Sequence, residues 1–181
     1  MVYSPQGELI EHYHKIHLFD ADVADQYASY RESDTFIPGK ELKVVDCGFV
    51  KIGLAICYDL RFPSLFQCLR SLDADIIVLP AAFTDSTGMA HWKPLLQARA
   101  IENQCYILAA NQGGEHFKEH EHYNARTTYG NSIIIDPWGE VLSQLTKGSG
   151  YIQSLFDKEK LLSVRQKMPV FQHNRFSCSQ S

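Results

Sequence analysis

The chain has 181 residues, 45% of them apolar and 21% charged, a composition that supports one folded domain with a core and excludes a disordered chain. Its 17 basic and 21 acidic residues give a formal net charge of −4, which offers no broad basic surface to nucleic acid. No apolar run reaches membrane-span length, and residues 1–10 lack the basic start and apolar block of a signal peptide.

In chain order, residues 1–12 are polar around a turn signal, Pro5-Gln6-Gly7. Residues 21–39 read as loop, ending in Ile37-Pro38-Gly39. Residues 42–47 and 49–56 read as two strands joined by a tight turn at Gly48. A helix over 63–73 starts at Pro63, where the ring's fixed φ suits the first turn, and places Leu65, Phe66, Leu69 and Leu72 on one face. Residues 75–80 form a short continuous apolar run, the pattern of a strand covered on both faces. A second helix spans about 90–104, with Pro94 tolerated in its first turn. Residues 105–110 are again a buried strand, and 113–124 a polar, His-rich loop. Residues 128–136 read as a strand that turns at Pro137-Trp138-Gly139-Glu140 into a partner over 141–145. One more strand is expected over 150–156. A charged helix over 157–167 is capped by Asp157, and the tail from Gln172 is polar and extended. Strands alternate with helices in the first half and hairpins dominate the second, so the expected class is a layered α/β protein with a mixed sheet.

Cys57 is the most informative residue. In Gly53-Leu54-Ala55-Ile56-Cys57-Tyr58-Asp59-Leu60-Arg61-Phe62-Pro63 an apolar strand stops at a thiol, and a helix opens six residues later. A thiol at such a turn can be exposed and activated by the helix N-terminus, with the Tyr58 N–H available to an oxyanion. The competing reading is a buried core cysteine. Five cysteines without a Cys-x-x-Cys indicate reduced thiols and a cytoplasmic compartment. Lys15, in Tyr13-His14-Lys15-Ile16-His17-Leu18-Phe19-Asp20, faces away from the core if Ile16 and Leu18 face it; it is either solvated or held by a charge partner. Glu32 stands in a polar loop that does not itself mark it as catalytic. His116, His120 and His122 alternate with acids and suggest a metal site or, lacking helical periodicity, a solvated loop. Trp92, Leu95, Leu96 and Ile101 look like packing residues, and Arg99 and Glu102 like structural partners.

Taken together, these blocks resemble the nitrilase superfamily of carbon–nitrogen hydrolases, in its Nit branch. The matching text is Tyr13 through Asp20, Gly53 through Pro63, Ala90-His91-Trp92, Ala98-Arg99-Ala100-Ile101-Glu102-Asn103-Gln104, Tyr129-Gly130 through Glu140, and Pro169-Val170-Phe171-Gln172-His173. The resemblance implies an α/β fold, the α-β-β-α sandwich of that superfamily, here missing its N-terminal portion. Residues 1–176 would be the C-terminal two-thirds of the hydrolase domain and 177–181 a polar tail. It implies an amidase that cleaves the C–N bond of a small carboxylated amide through a cysteine thioester, nearest the subgroup acting on deaminated glutathione, with ω-amidases of 2-oxoacid amides as siblings. Cys57 would be the nucleophile. Lys15 and the Tyr58 amide would stabilise the tetrahedral intermediate, and Glu32 would position the lysine and the amide. Arg61 and Tyr58 are placed to contact a substrate carboxylate. No cofactor and no metal are implied; the expected partners are the small-molecule amide and a second copy or a complementing chain, not nucleic acid or membrane. The family's general-base glutamate lies upstream of the lysine. Neither Glu8 nor Glu11 sits in its motif, so an inactive remnant or partner subunit is the alternative. Ser64 and Asn131 stand where Nit relatives usually carry glutamate and often carry histidine.

Overall fold

The computed structural model describes residues 1–23, 29–116 and 126–176. Two short hairpins come first: β1 (Val2–Tyr3) with β2 (Leu9–Glu11), and β3 (Asp20–Asp22) with β4 (Ser29–Arg31). The second lies in the stretch expected to be loop. Residues 12–19 between them are irregular, so the strict alternation assumed around Lys15 does not apply there. A 3₁₀ turn, Glu32–Asp34, follows β4.

The centre of the molecule is a mixed sheet of six strands: β5 (Val44–Asp46), β6 (Lys51–Leu54), β7 (Ile76–Ala81), β8 (Tyr106–Asn111), β11 (Ser132–Ile135) and β12 (Val141–Leu145). Its spatial order is β12-β11-β8-β7-β6-β5, with β6, β7 and β8 parallel and the outer pairings antiparallel. Helices α1 (Pro63–Ser71) and α3 (Lys93–Asn103) cover one face. There Leu65, Phe66 and Leu69 of α1 and Leu96 and Ala100 of α3 meet Ile77, Leu79, Ile107, Ile133 and Ile135 in one core. Gly53 lets α1 settle close to β6, since a Cβ at this position would come within 3.2 Å of Leu69. The alternate residues Val78, Leu108 and Ile134 point to the other face and share a hollow with Ile152.

The first helix starts at Pro63 as expected, but Leu72 lies just past its end and is 48% exposed. The second helix is regular only from Lys93. A three-residue turn, α2 (Asp85–Thr87), and a π turn, Gly88–Trp92, lead into it. The π turn carries Trp92 into the core, where it meets Phe83 edge-on and its Nε1–H donates to the Asn131 carbonyl at 2.8 Å.

The continuous strand expected over 128–136 is two strands. β10 (Arg126–Tyr129) pairs with β9 (Gly113–His116), and β11 joins the central sheet. Gly130 and Asn131, both left-handed at φ 68° and 61°, make the break, a conformation that glycine and asparagine tolerate best. The strand expected over 150–156 is extended chain without a ladder partner among the described residues, and Tyr151 and Leu155 stand in solvent. The Asp157 cap is observed: its carboxylate accepts the Lys160 N–H at 2.8 Å at the start of α4 (Lys158–Lys167). The tail expected to be extended from Gln172 instead contains a short helix, α5 (Val170–His173); residues 177–181 lie outside the described residues. Below the sheet, Arg165 of α4 donates to Asp75 Oδ1 at 3.0 Å, the Ala74 carbonyl at 2.8 Å and the Gln104 carbonyl at 3.1 Å, tying α4 to the strand starts.

Candidate functional site

The three parallel strands β6, β7 and β8 end on the same side, and a cleft of about 610 Å³ opens beyond them. Open α/β sheets bind ligands outside the carboxyl ends of their strands, because the chain leaves the sheet there in loops that diverge. The wall beyond β6 is the 3₁₀ turn Cys57–Arg61, not a direct passage into α1. Cys57 adopts φ 48°, a left-handed conformation that costs a residue with a Cβ roughly 1–2 kcal/mol. This cost is borne where the chain leaves the strand and brings the thiol to the cleft. The four described cysteines, Cys47, Cys57, Cys68 and Cys105, are thiols; Cys57 is half-buried and lines the cleft, and Cys105 is fully buried elsewhere.

Lys15, Glu32, Cys57 and Tyr58 all line this cleft. The lysine is neither solvated nor unpartnered: its side chain is only 12% exposed, and its ammonium forms an ion pair with Glu32. Glu32 Oε2 also accepts the Phe19 N–H at 2.7 Å, so one carboxylate braces both the lysine and the irregular segment that carries it. Phe19 in turn packs on the Tyr58 ring, centroids 4.9 Å apart. Neither Glu8 nor Glu11 lines the cleft; Glu11 lies 3.6 Å from Lys43, on the β1–β2 hairpin.

Arg61 also faces the cleft. Its guanidinium lies 5.9 Å from the Tyr58 ring centroid and 5.4 Å from that of Phe83, and Nη1 donates to His91 Nδ1 at 3.2 Å. The far wall comes from residues that sequence reasoning missed: Thr84 and Thr87 after β7, Asn111 and Gln112 at the end of β8, and Ser132. Asn111 ties these together, its Oδ1 accepting the Phe83 N–H at 3.0 Å and its Nδ2 donating to the Gly130 carbonyl at 2.6 Å. The available signal was polar residues a few positions past the buried run of β7 and directly at the end of that of β8. Arg99 and Glu102 do pair as structural partners, at 2.9 Å, with Arg99 Nε donating to the Leu60 carbonyl at 3.0 Å. Of the histidine cluster, His116 bonds Thr128 Oγ1 at 2.7 Å; His120 and His122 lie outside the described residues, and no grouping of three metal-binding side chains occurs among those described. No helix among the described residues is long and apolar enough to cross a membrane.

Beneath the wall sits Asp59, completely buried. Its Oδ2 accepts the Tyr13 hydroxyl at 2.8 Å and the Ile56 N–H at 2.9 Å, and its Oδ1 accepts the His17 N–H at 3.0 Å and lies 2.8 Å from His17 Nδ1. Burial first, and then the neighbouring Asp59 charge, push the Tyr13 hydroxyl well above the ordinary phenol range.

A thiol and an ion-paired lysine in a cleft at the ends of parallel strands define a thiol-bearing α/β site suited to acyl chemistry. The carbon-nitrogen hydrolase family model matches residues 1–166, and the chain belongs to that family. It is 47% identical to the deaminated glutathione amidase of Yersinia enterocolitica over 99% of its own length. It spans about 60% of that relative. Among solved structures it superposes on the Nit3 protein of Saccharomyces cerevisiae, a member of branch 10 of the nitrilase superfamily, with a TM-score of 0.77 at 32% identity, covering 94% of this chain and 56% of that one. The NitFhit protein of C. elegans gives a TM-score of 0.76 at 40% identity, covering 90% of this chain and 38% of that one. The fold is accordingly that of the nitrilase superfamily.

Proposed function

We propose that the chain carries the thiol site of an amidase acting on a small carboxylated amide of the deaminated-glutathione type. The observation that carries this reading is the convergence of Cys57, Lys15 and Glu32 on one cleft from three separate segments. The Cys57 thiolate attacks the amide carbon. Negative charge then develops on the former carbonyl oxygen, and the Lys15 ammonium and the Tyr58 N–H stabilise it. Glu32 holds the lysine and accepts a hydrogen bond from the amide nitrogen. Ammonia leaves, a thioester remains on Cys57, and water hydrolyses it to the carboxylic acid and the restored thiol. The thiol proton ends on the departing ammonia; by family resemblance it is relayed by a glutamate upstream of the lysine segment, a role that neither Glu8 nor Glu11 fills. Arg61, a fixed cation beside the cleft, pairs with the substrate carboxylate. The amides of 2-oxoacids are the sibling substrates, and self-association of the chain in a cytoplasmic setting completes the proposal. A remnant without chemistry has no need of a lysine kept paired at a cleft, which favours the amidase over the inactive alternative.

The test is ammonia release from deaminated glutathione and from a 2-oxoacid amide. The protein is expected to release ammonia, and Cys57→Ala to release none. Added hydroxylamine should intercept the thioester as a hydroxamate. A protein that releases no ammonia from either amide, or a Cys57→Ala variant that matches the parent, overturns the reading.

A further inference from the structure

We infer that Asp59 is a positioning residue that fastens the lysine-bearing segment to the turn carrying Cys57, and so sets the placement of Lys15 relative to the thiol. The inference rests on the amidase reading of the cleft. Asp59 lies two residues after Cys57, and one of its four donors, the Ile56 N–H, belongs to the residue just before it. The other three come from Tyr13 and His17, which stand two residues to either side of Lys15. An ionised carboxylate only accepts, with room for about four donors, so His17 Nδ1 carries a proton aimed at Asp59 and both oxygens are filled. The His17 ring is pinned on its other side by Phe62, stacked at 3.6 Å.

An asparagine could close the Ile56 turn but could not replace this carboxylate. Its Nδ2 would face backbone N–H groups that cannot turn round to accept, leaving at least one buried donor without an acceptor. The Lys15–Glu32 pair orients the ammonium, and Glu32 also holds Phe19, which packs on the Tyr58 ring. Asp59 spans both segments, and a displacement of about 1 Å between reacting groups costs on the order of 10²-fold in rate.

The test pairs Asp59→Asn with Lys15→Met and reads two quantities. In turnover, Asp59→Asn is expected to lower kcat about 10²-fold while KM stays close to the parent's. The second readout needs no turnover: the pH midpoint for alkylation of Cys57 by iodoacetamide, followed by peptide mass spectrometry. Lys15→Met should raise that midpoint by about one unit in the parent, because a nearby cation favours the thiolate, and leave it unmoved in the Asp59→Asn background. An equal shift in both backgrounds overturns the inference and leaves Asp59 a structural brace, whatever the amidase assay says. If the protein releases no ammonia but the two shifts differ as described, the amidase reading falls and the positioning role stands. If Asp59→Asn does not fold, Tyr13→Phe, which removes one donor and keeps the carboxylate, decides by the same readout: a weakened Lys15 shift supports the inference, and an undiminished one overturns it.

Discussion

Lys15 and Glu32 form an ion pair on the cleft wall, and Glu32 Oε2 simultaneously accepts the Phe19 N–H at 2.7 Å. The carboxylate therefore restrains both the ammonium and the backbone four residues beyond it. Lys15→Met removes the fixed positive charge and should lower kcat/KM for ammonia release on the order of 10²–10³-fold. Glu32→Gln keeps the shape but loses the ion pair, and should reduce turnover with little change in melting temperature. Steady-state kinetics beside a thermal melt separate the two effects.

Leu96 is fully buried between α3 and the sheet. Leu96→Ala leaves a cavity that tight neighbours cannot fill and should destabilise the protein by about 2–5 kcal/mol, read from denaturant unfolding.

Arg165 and Asp75 are 14% and 12% exposed and lie 3.0 Å apart. Arg165→Ala strands the Asp75 charge and takes a donor from the Ala74 and Gln104 carbonyls, and should cost about 3–5 kcal/mol. Adding Asp75→Asn should recover part of that loss, because the stranded charge is then gone. A chemical-denaturation double-mutant cycle gives the coupling.

Burial pushes the Cys105 thiol up to about 11, against the opposing pull of Arg165 and Arg70. In the unfolded chain the same thiol ionises near its ordinary value of about 8.5. Below that value both states hold the proton and pH has no effect through this group. Between about 8.5 and about 11 only the unfolded state loses it, so stability falls as pH rises across that window. Cys105→Ala should remove this part of the slope. In the folded protein at pH 8, iodoacetamide should modify the exposed Cys47 and spare Cys105.

The sequence is legible where a local pattern and a tertiary requirement coincide. Pro63 at the start of α1, the buried runs of β7 and β8, and the Asp157 cap are readable because each residue's own chemistry matches its place. The failures share a cause: pairing is decided by what lies alongside. Residues 128–136 read as one strand, yet two left-handed residues, Gly130 and Asn131, send its halves to different partners. Residues 150–156 have strand composition but no neighbouring ladder among the described residues. In the cleft, Cys57 was visible from its position at a strand end. Lys15 and Glu32 are visible as candidates, but their catalytic roles come only through the resemblance, because their meaning lies in a contact across 17 positions. Asp59 went unremarked for the same reason, since its donors lie 42 and 46 positions away.

The left-handed backbone at Cys57 has a consequence for how this chain can drift. At φ 48° glycine is the residue that fits without steric penalty, and asparagine or aspartate come next. As long as thiol chemistry is selected, cysteine is retained in a conformation that opposes it. In a lineage released from that selection, Cys57→Gly becomes a gain in foldability rather than a loss, and it should be among the first substitutions to become fixed. A glycine here, beside an intact Asp59, would be the fossil mark of a copy that kept the fold after giving up the reaction.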